Sequence, residues 1–325
     1  MPMGRIAVTD GMASQAINRL TEAGHEVVEG SIEQNLLENG FLSDFDAIIV
    51  RSATILNASV INSSTGLKVI GRAGVGVDNI DLDAATANDI VVVNAPRAST
   101  QSVVELTIAH LLSSVRKVAA SDRGLREGRW EKKSMKGTEL SGKALGFIGF
   151  GRIAQGVSDV AAALGMEIHA YDPYLPAKIS RGLGIRMHSD VDDLFRMCTH
   201  ITIHCNLNEE THHLVNSDRL ALMPGRGVDG VHCGNHLVNC ARGGIIDEEA
   251  AFTALQDGTL STLALDVFEN EPVKADHPLL QHPGFHGTPH IGAATLEAQA
   301  RVGLDIADAV NAALNGEQVE TQVNR

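Results

Sequence analysis

Short runs rich in Val, Ile and Leu alternate along the chain with longer segments whose apolar positions recur at helical spacing. In the first part, Arg5–Asp10, His25–Glu29, Phe45–Val50, Leu67–Ile70 and Ile90–Val93 read as strands. Ala13–Ala23 reads as a helix stopped by Gly24. Strands this uniformly apolar belong to a parallel sheet covered by helices on both faces. A long helix is predicted from Thr100 to Ala120, with Val103, Leu106, Ile108, Leu111, Leu112 and Val115 as its apolar face. Ser102-x-x-Glu105 has the form of its capping box. Beyond Trp130 the alternation resumes through Ala144–Ile148, Ile201–His204, Leu237–Asn239 and Thr262–Val267, and Ala293–Leu314 is a last helix ended by Gly316. The pattern predicts an α/β protein of two doubly wound parallel-sheet domains.

Composition narrows this picture. A chain of 325 residues that is 44% hydrophobic and only 3% aromatic suits two aliphatic cores. The formal net charge of −14 argues against nucleic acid and anionic membranes as partners. An anionic small molecule must then be held by local arginines. No apolar run approaches the roughly 18 residues of a membrane helix, and Met1-Pro2-Met3-Gly4-Arg5 opens no signal-peptide core. A cytoplasmic location and reduced thiols at Cys198, Cys205, Cys233 and Cys240 are therefore expected. These cysteines lie among His200, His204, His212, His213, His232 and His236, but without a paired C-x-x-C no metal is expected.

The strongest local motif is Gly146-Phe147-Ile148-Gly149-Phe150-Gly151-Arg152-Ile153-Ala154, followed by a strand ending in Tyr171-Asp172. Gly149 permits a tight turn, Gly151 lets backbone N–H groups approach a pyrophosphate, and Ala154 lets the helix pack close to the strand. Asp172 stands where an acid binds a ribose 2′-hydroxyl and repels a 2′-phosphate, so NAD is expected rather than NADP. This makes residues 98–292 a Rossmann domain, with a discontinuous, flavodoxin-like substrate domain in 1–97 and 293–325 and the active site between them.

Ligands of open parallel sheets bind beyond the carboxyl ends of the strands. Arg242, Glu271 and His290 each follow such an end. A guanidinium grips a carboxylate through two hydrogen bonds, an imidazole takes a hydroxyl proton, and a carboxylate beside that imidazole orients it. Taken singly, each also reads as a strand cap, an exposed turn or a solvated histidine. Arg51 and Arg72, at other strand ends, would supply positive charge for a phosphorylated acid, with backbone amides from Ala73 to Gly76 beside them. They also read as partners of surface acids.

Asn239-Cys240-Ala241-Arg242-Gly243-Gly244, Leu265-Asp266-Val267-Phe268-Glu269-Asn270-Glu271-Pro272 and Thr288-Pro289-His290-Ile291-Gly292-Ala293 resemble the signature blocks of the D-isomer-specific 2-hydroxyacid dehydrogenases. The likeness runs in order over nearly the whole chain. It implies that Arg242 binds the substrate carboxylate and carbonyl, Glu271 supports His290, and His290 is the acid/base. It places Asp266, Cys240, Ala241, Ile291, Gly292 and Ala293 on the nicotinamide side. Arg152, Ile153 and Asp172 would hold pyrophosphate and ribose, with Val75 and Cys205 as further cofactor contacts. Val50-Arg51-Ser52 and Gly71-Arg72-Ala73-Gly74-Val75-Gly76-Val77-Asp78-Asn79 are similar to members acting on a phosphorylated three-carbon hydroxy acid. They make Arg51, Ser52, Arg72, Ala73, Gly74 and Gly76 the substrate residues.

Departures from the family pattern are Ser99 in place of an Asn, Cys205-Asn206 on the adenosine side, and an insertion in Gly225–His236 that enters the next strand at its amino end. Because the chain stops at Arg325, an appended regulatory domain is not expected. The expected reaction is reversible hydride transfer between C2 of a phosphorylated hydroxy acid and NAD, by a homodimer or homotetramer. The same triad also suits a glyoxylate or hydroxypyruvate reductase, or an NAD(H)-sensing protein resembling corepressors of this fold.

Overall fold

The computed structural model describes residues 4–175 and 184–324. Its backbone divides into two compact units, one from the residues up to Thr100 together with Ala293 onward, the other Gln101–Gly292.

The first unit is built on strands β1 (Arg5–Val8), β2 (Glu26–Glu29), β3 (Ala47–Val50), β4 (Val69–Arg72) and β5 (Val91–Asn94). They form one parallel sheet in the order β2-β1-β3-β4-β5. All four residues of β3 are buried, as a strand covered on both faces requires. The helix Leu296–Leu314 covers one face, capped by the Thr295 side chain, which accepts from the Ala298 N–H. Gly71 is the close-approach point: a Cβ there would lie 2.6 Å from Val310. The predicted terminal helix thus starts three residues late, at the first residue after its cap.

The second unit carries β6 (Ala144–Ile148), β7 (Glu167–Tyr171), β8 (Arg186–His188), β9 (His200–Ile203), β10 (His236–Asn239), β11 (Thr262–Leu265) and β12 (Phe285–Gly287). All pair in parallel, in the order β12-β11-β10-β9-β6-β7-β8. Its core of Leu145, Phe147, Ile201, Leu237 and Leu263 is fully buried. Among the described residues no helix is long and apolar enough to cross a membrane.

One element differs from the sequence reading. The single helix expected over 100–120 is two helices, Thr100–Arg116 and Val118–Arg126, broken at Lys117 with φ 52°. The chain returns against the first helix, and the Val115 carbonyl accepts from the Thr138 N–H. Gly137 makes that approach possible, since a Cβ there would lie 2.1 Å from the same oxygen. The capping box does not form either: Ser102 is buried inside the first turn, and Glu105 accepts from the Gln101 side chain.

The insertion enters β10 at its amino end, away from the strand ends that carry the site. Buried Lys143 pairs with Asp229 at 2.7 Å, and Asn235 bonds Gly225 and Thr259, which pins the loop to the base of the sheet. All four cysteines are free thiols.

Candidate functional site

In the second unit the chemistry-bearing residues lie at the carboxyl ends of the strands, and the strand order reverses between β9 and β6. There two backbones nearly touch. Gly149 has φ 83°, and a Cβ on it would lie 2.8 Å from both the Cys205 nitrogen and the His204 carbonyl carbon. Only glycine fits this turn. Gly151 is the N-cap of the helix Arg152–Ala163, supplies no side-chain cap, and faces open space where a Cβ would go. A helix N-terminus reached through bare backbone suits a pyrophosphate. Asp172 is held in place at both oxygens, accepting from the N–H of Phe150 at 2.8 Å and of Tyr174 at 2.9 Å. Gly156 lets this helix close on Val104 of the neighbouring helix. Together these residues fit a dinucleotide whose ribose hydroxyls meet the Asp172 carboxylate.

The second cluster comprises the loops after β10, β11 and β12. Arg242 follows β10, and its loop is braced by buried Asn239, which donates to the Arg242 carbonyl and accepts from the Ala241 N–H. Gly243 lies directly on the loop after β11: a Cβ would be 1.8 Å from the Phe268 carbonyl oxygen. In that loop the two Glu271 oxygens divide their work. One accepts from the Phe268 N–H at 3.0 Å and the other from His290 Nδ1 at 2.6 Å.

This geometry determines the protonation of the pair. The hydrogen bond to Glu271 raises the His290 pKa above the usual imidazole value, against the opposing effect of burial. Burial alone would raise Glu271, but the His290 bond, the Phe268 N–H and the nearby Arg242 charge bring it below the usual carboxylate value. Nδ1–H is committed to Glu271, so Nε2 is the atom able to exchange a proton. His290 itself has φ 52°, an unusual conformation for a side-chain-bearing residue. It is held because its N–H bonds the carbonyls of Asp266 and Thr288.

In the first unit, Arg51 follows β3 beside the strand-order reversal between β1 and β3. Asp10 accepts from the Arg51 N–H at 2.7 Å and from the Thr54 hydroxyl at 2.6 Å. Asn79 donates to the carbonyls of Arg51 and Thr54, closing the loop from its other side. Arg72 ends β4, and its guanidinium folds back over Gly74, where φ is 154° and a Cβ would fall on Arg72 Nη1. The Val75 carbonyl accepts from Asn94.

The second unit therefore brings together Arg242, Glu271, His290, Asp266, Ile291 and Gly292, and separately the Gly149–Asp172 cradle with Cys205. Arg51, Ser52, Arg72, Ala73, Gly74, Val75, Gly76 and Ala293 belong to the first unit. Cys240 is buried, and burial pushes its thiol up to about 12, so its backbone alone is available. Sequence reasoning passed over Asn239, Asp10 and Asn79, which brace the arginine loops. Each is a short polar residue beside a strand end or turn, a pattern too common to stand out in a sequence.

Two histidines of the histidine-rich stretch pack in the core of the sheet. His200 and His236 stack with ring centroids 4.6 Å apart, and His236 bonds Thr262 and the Cys233 carbonyl. Among the described residues no three His, Cys, Asp or Glu side chains are grouped to hold a metal ion.

Comparison with known proteins gives concordant matches. The model of the D-isomer specific 2-hydroxyacid dehydrogenase NAD binding domain matches residues 108–292. The chain is 44% identical over 323 residues to the D-3-phosphoglycerate dehydrogenase of Methanocaldococcus jannaschii, covering 99% of this chain and 60% of that protein. It spans about three-fifths of the length of the curated relatives it matches, 60% and 59% in two archaeal cases. A Thermus thermophilus protein of known structure superimposes with TM-score 0.88 at 32% identity, covering 98% of this chain and 99% of that one. The NAD+-bound 3-phosphoglycerate dehydrogenase of Entamoeba histolytica superimposes with TM-score 0.81 at 28% identity, over 100% and 99% of the two chains.

Proposed function

The chain belongs to the D-isomer specific 2-hydroxyacid dehydrogenase family and carries its NAD binding domain, and on that footing we propose that it oxidises D-3-phosphoglycerate reversibly to 3-phosphohydroxypyruvate, the step that opens serine biosynthesis. The observation that carries the reading is the 2.6 Å pairing of Glu271 with His290 Nδ1, which leaves Nε2 to serve as acid and base. Bound NAD supplies the chemistry of accepting the hydride from C2.

Arg242 grips the substrate carboxylate, and its braced loop fixes the direction of that grip. The C2 hydroxyl donates to His290 Nε2 and passes its proton there as the C–H bond breaks. Glu271 offsets the charge of the imidazolium so formed and keeps the ring from turning. In the reverse direction His290 returns the proton to the carbonyl oxygen. Arg51 and Arg72 supply the cations for the phosphate, which a protein of net charge −14 must provide locally. The Asp172 carboxylate selects NAD over NADP. The enzyme works in the cytoplasm as a homodimer or homotetramer, with the exposed Leu112, Leu125 and Trp130 of the Thr100–Trp130 region contributing to assembly.

The test is an NADH-oxidation assay comparing phosphohydroxypyruvate with hydroxypyruvate, with and without Arg51→Ala. The expected result is a loss of kcat/KM confined to the phosphorylated substrate. Equal losses on both would refute the phosphate role of Arg51 and favour a hydroxypyruvate or glyoxylate reductase.

A further inference from the structure

Asp266 is 1% exposed, and its carboxylate is surrounded by donors. Oδ1 accepts from the Ile291 N–H at 2.8 Å and Oδ2 from the Gly292 N–H at 2.8 Å, the two amides that follow His290. Oδ1 also accepts from the Thr288 hydroxyl at 2.6 Å, the length of a charge-assisted bond. A threonine hydroxyl has one proton to give. With that proton committed to Asp266, the Thr288 oxygen can only accept from its other neighbour, His110 Nε2, at 3.0 Å. The bonds therefore run in one direction, from His110 through Thr288 to Asp266.

His110 is buried on the helix Thr100–Arg116, against the ring of His286 at 5.3 Å between centroids. Burial holds it down to about 4, so around neutral pH it is an uncharged donor rather than a second cation. Val103 of the same helix lies 3.3 Å from where a Gly292 Cβ would be, and Asp266 Oδ2 lies 3.1 Å from that point. The helix thus presses the 290–292 backbone onto the carboxylate and also supplies the last donor in the chain.

We propose that His110 is a positioning residue for His290, acting through the Thr288 hydroxyl to hold the Asp266 carboxylate under the 290–292 backbone. The inference rests on the acid/base role assigned above to His290. Without the His110 donor the Thr288 hydroxyl is free to turn from Asp266. The carboxylate then loses its one side-chain donor beside the two backbone N–H groups it accepts from, and the left-handed turn at His290 loosens.

The test uses His110→Phe and Thr288→Val, with His110→Gln and Thr288→Ser as conservative partners that keep a donor or a hydroxyl. Because small misplacements of a reacting group are costly, His110→Phe and Thr288→Val are each expected to lower kcat about tenfold. The double variant should lose no more than either alone, since both break one chain. His110→Gln and Thr288→Ser should recover most of the rate. Amide hydrogen exchange at Ile291 and Gly292 should accelerate in the two impaired variants and return to wild-type rates in the conservative ones. Additive losses overturn the proposal, as does a lowered Tm with kcat and exchange at 291–292 unchanged. If His110→Phe does not fold, the Thr288 pair decides alone. The exchange measurement needs no substrate. Wild-type inactivity on D-3-phosphoglycerate would therefore count against the proposed reaction, and the exchange rates would still decide this role of His110.

Discussion

Replacing Gly243 with alanine perturbs the site through backbone geometry alone. The new Cβ would lie 1.8 Å from the Phe268 carbonyl oxygen, 2.1 Å from its carbonyl carbon and 2.7 Å from the Glu269 nitrogen. Carbon contacts become comfortable at roughly 3.5 Å, so the two loops must part by about 1.5 Å. Neither can yield by a side-chain rotation, because all three of these neighbours are backbone atoms. Phe268 is buried against Phe285, and the Arg242 loop is tied by both Asn239 bonds, so strain is shared between them. Overpacking of this kind costs about 1–3 kcal/mol. In a unit the size of Gln101–Gly292 each kcal/mol lowers Tm by roughly 2–4 °C. The larger effect falls on chemistry, since separating Arg242 from Glu271 by about 1 Å costs on the order of 100-fold. Initial rates of NAD reduction should show that loss in kcat/KM. NADH binding, followed by fluorescence, should stay near wild type because the Gly149–Asp172 cradle is untouched. Wild-type kcat/KM in Gly243→Ala would refute the reasoning, as would a loss of cofactor affinity equal to the loss of turnover.

Gly151→Ala gives the opposite signature: its Cβ meets nothing within 4 Å, so Tm should hold while NAD affinity falls, and a matching loss of Tm would contradict a cradle role. Glu271→Gln removes the main influence raising the His290 pKa. Oxidation needs neutral His290 and rises with pH through that pKa, so its ascending limb should move to lower pH; a limb that stays in place would show that another group titrates. Burial holds His110, His236 and His286 at about 4 in the folded state, below the unfolded value of 6.5. Unfolded chains take up these protons first as pH falls, so stability should be lost between about pH 6.5 and 4, by about 3 kcal/mol per histidine, and should level below that. Urea unfolding that shows no loss between pH 7 and 4.5 would refute this.

Much of this is legible in the sequence. The strands were visible because buried parallel strands are uniformly apolar, and the cradle because Gly149, Gly151 and Asp172 occur at spacings that chemistry dictates. The break at Lys117 was not, because the apolar rhythm continues across it. Its cause is a distant segment, Gly137–Thr138, which takes the Val115 carbonyl. Ser102-x-x-Glu105 misled for a related reason: the pattern is local, but the helix begins two residues earlier. Arg242, Glu271 and His290 could be picked out as residues beyond strand ends. Their supports could not: Thr288 and His110 act through hydrogen bonds between residues far apart in sequence, and the short-range bonds of Asn239 follow a pattern too common to stand out.

The central claim is that this chain removes hydride from C2 of D-3-phosphoglycerate while His290 takes the hydroxyl proton. The most direct measurement supplies D-3-phosphoglycerate deuterated at C2 with NAD and follows the label by mass spectrometry in wild type and His290→Ala. The account predicts deuterium in the reduced nicotinamide, slowed by a primary isotope effect, and severe loss of transfer in His290→Ala with NADH binding retained. Deuterium released to solvent, or transfer undiminished by His290→Ala, would contradict it.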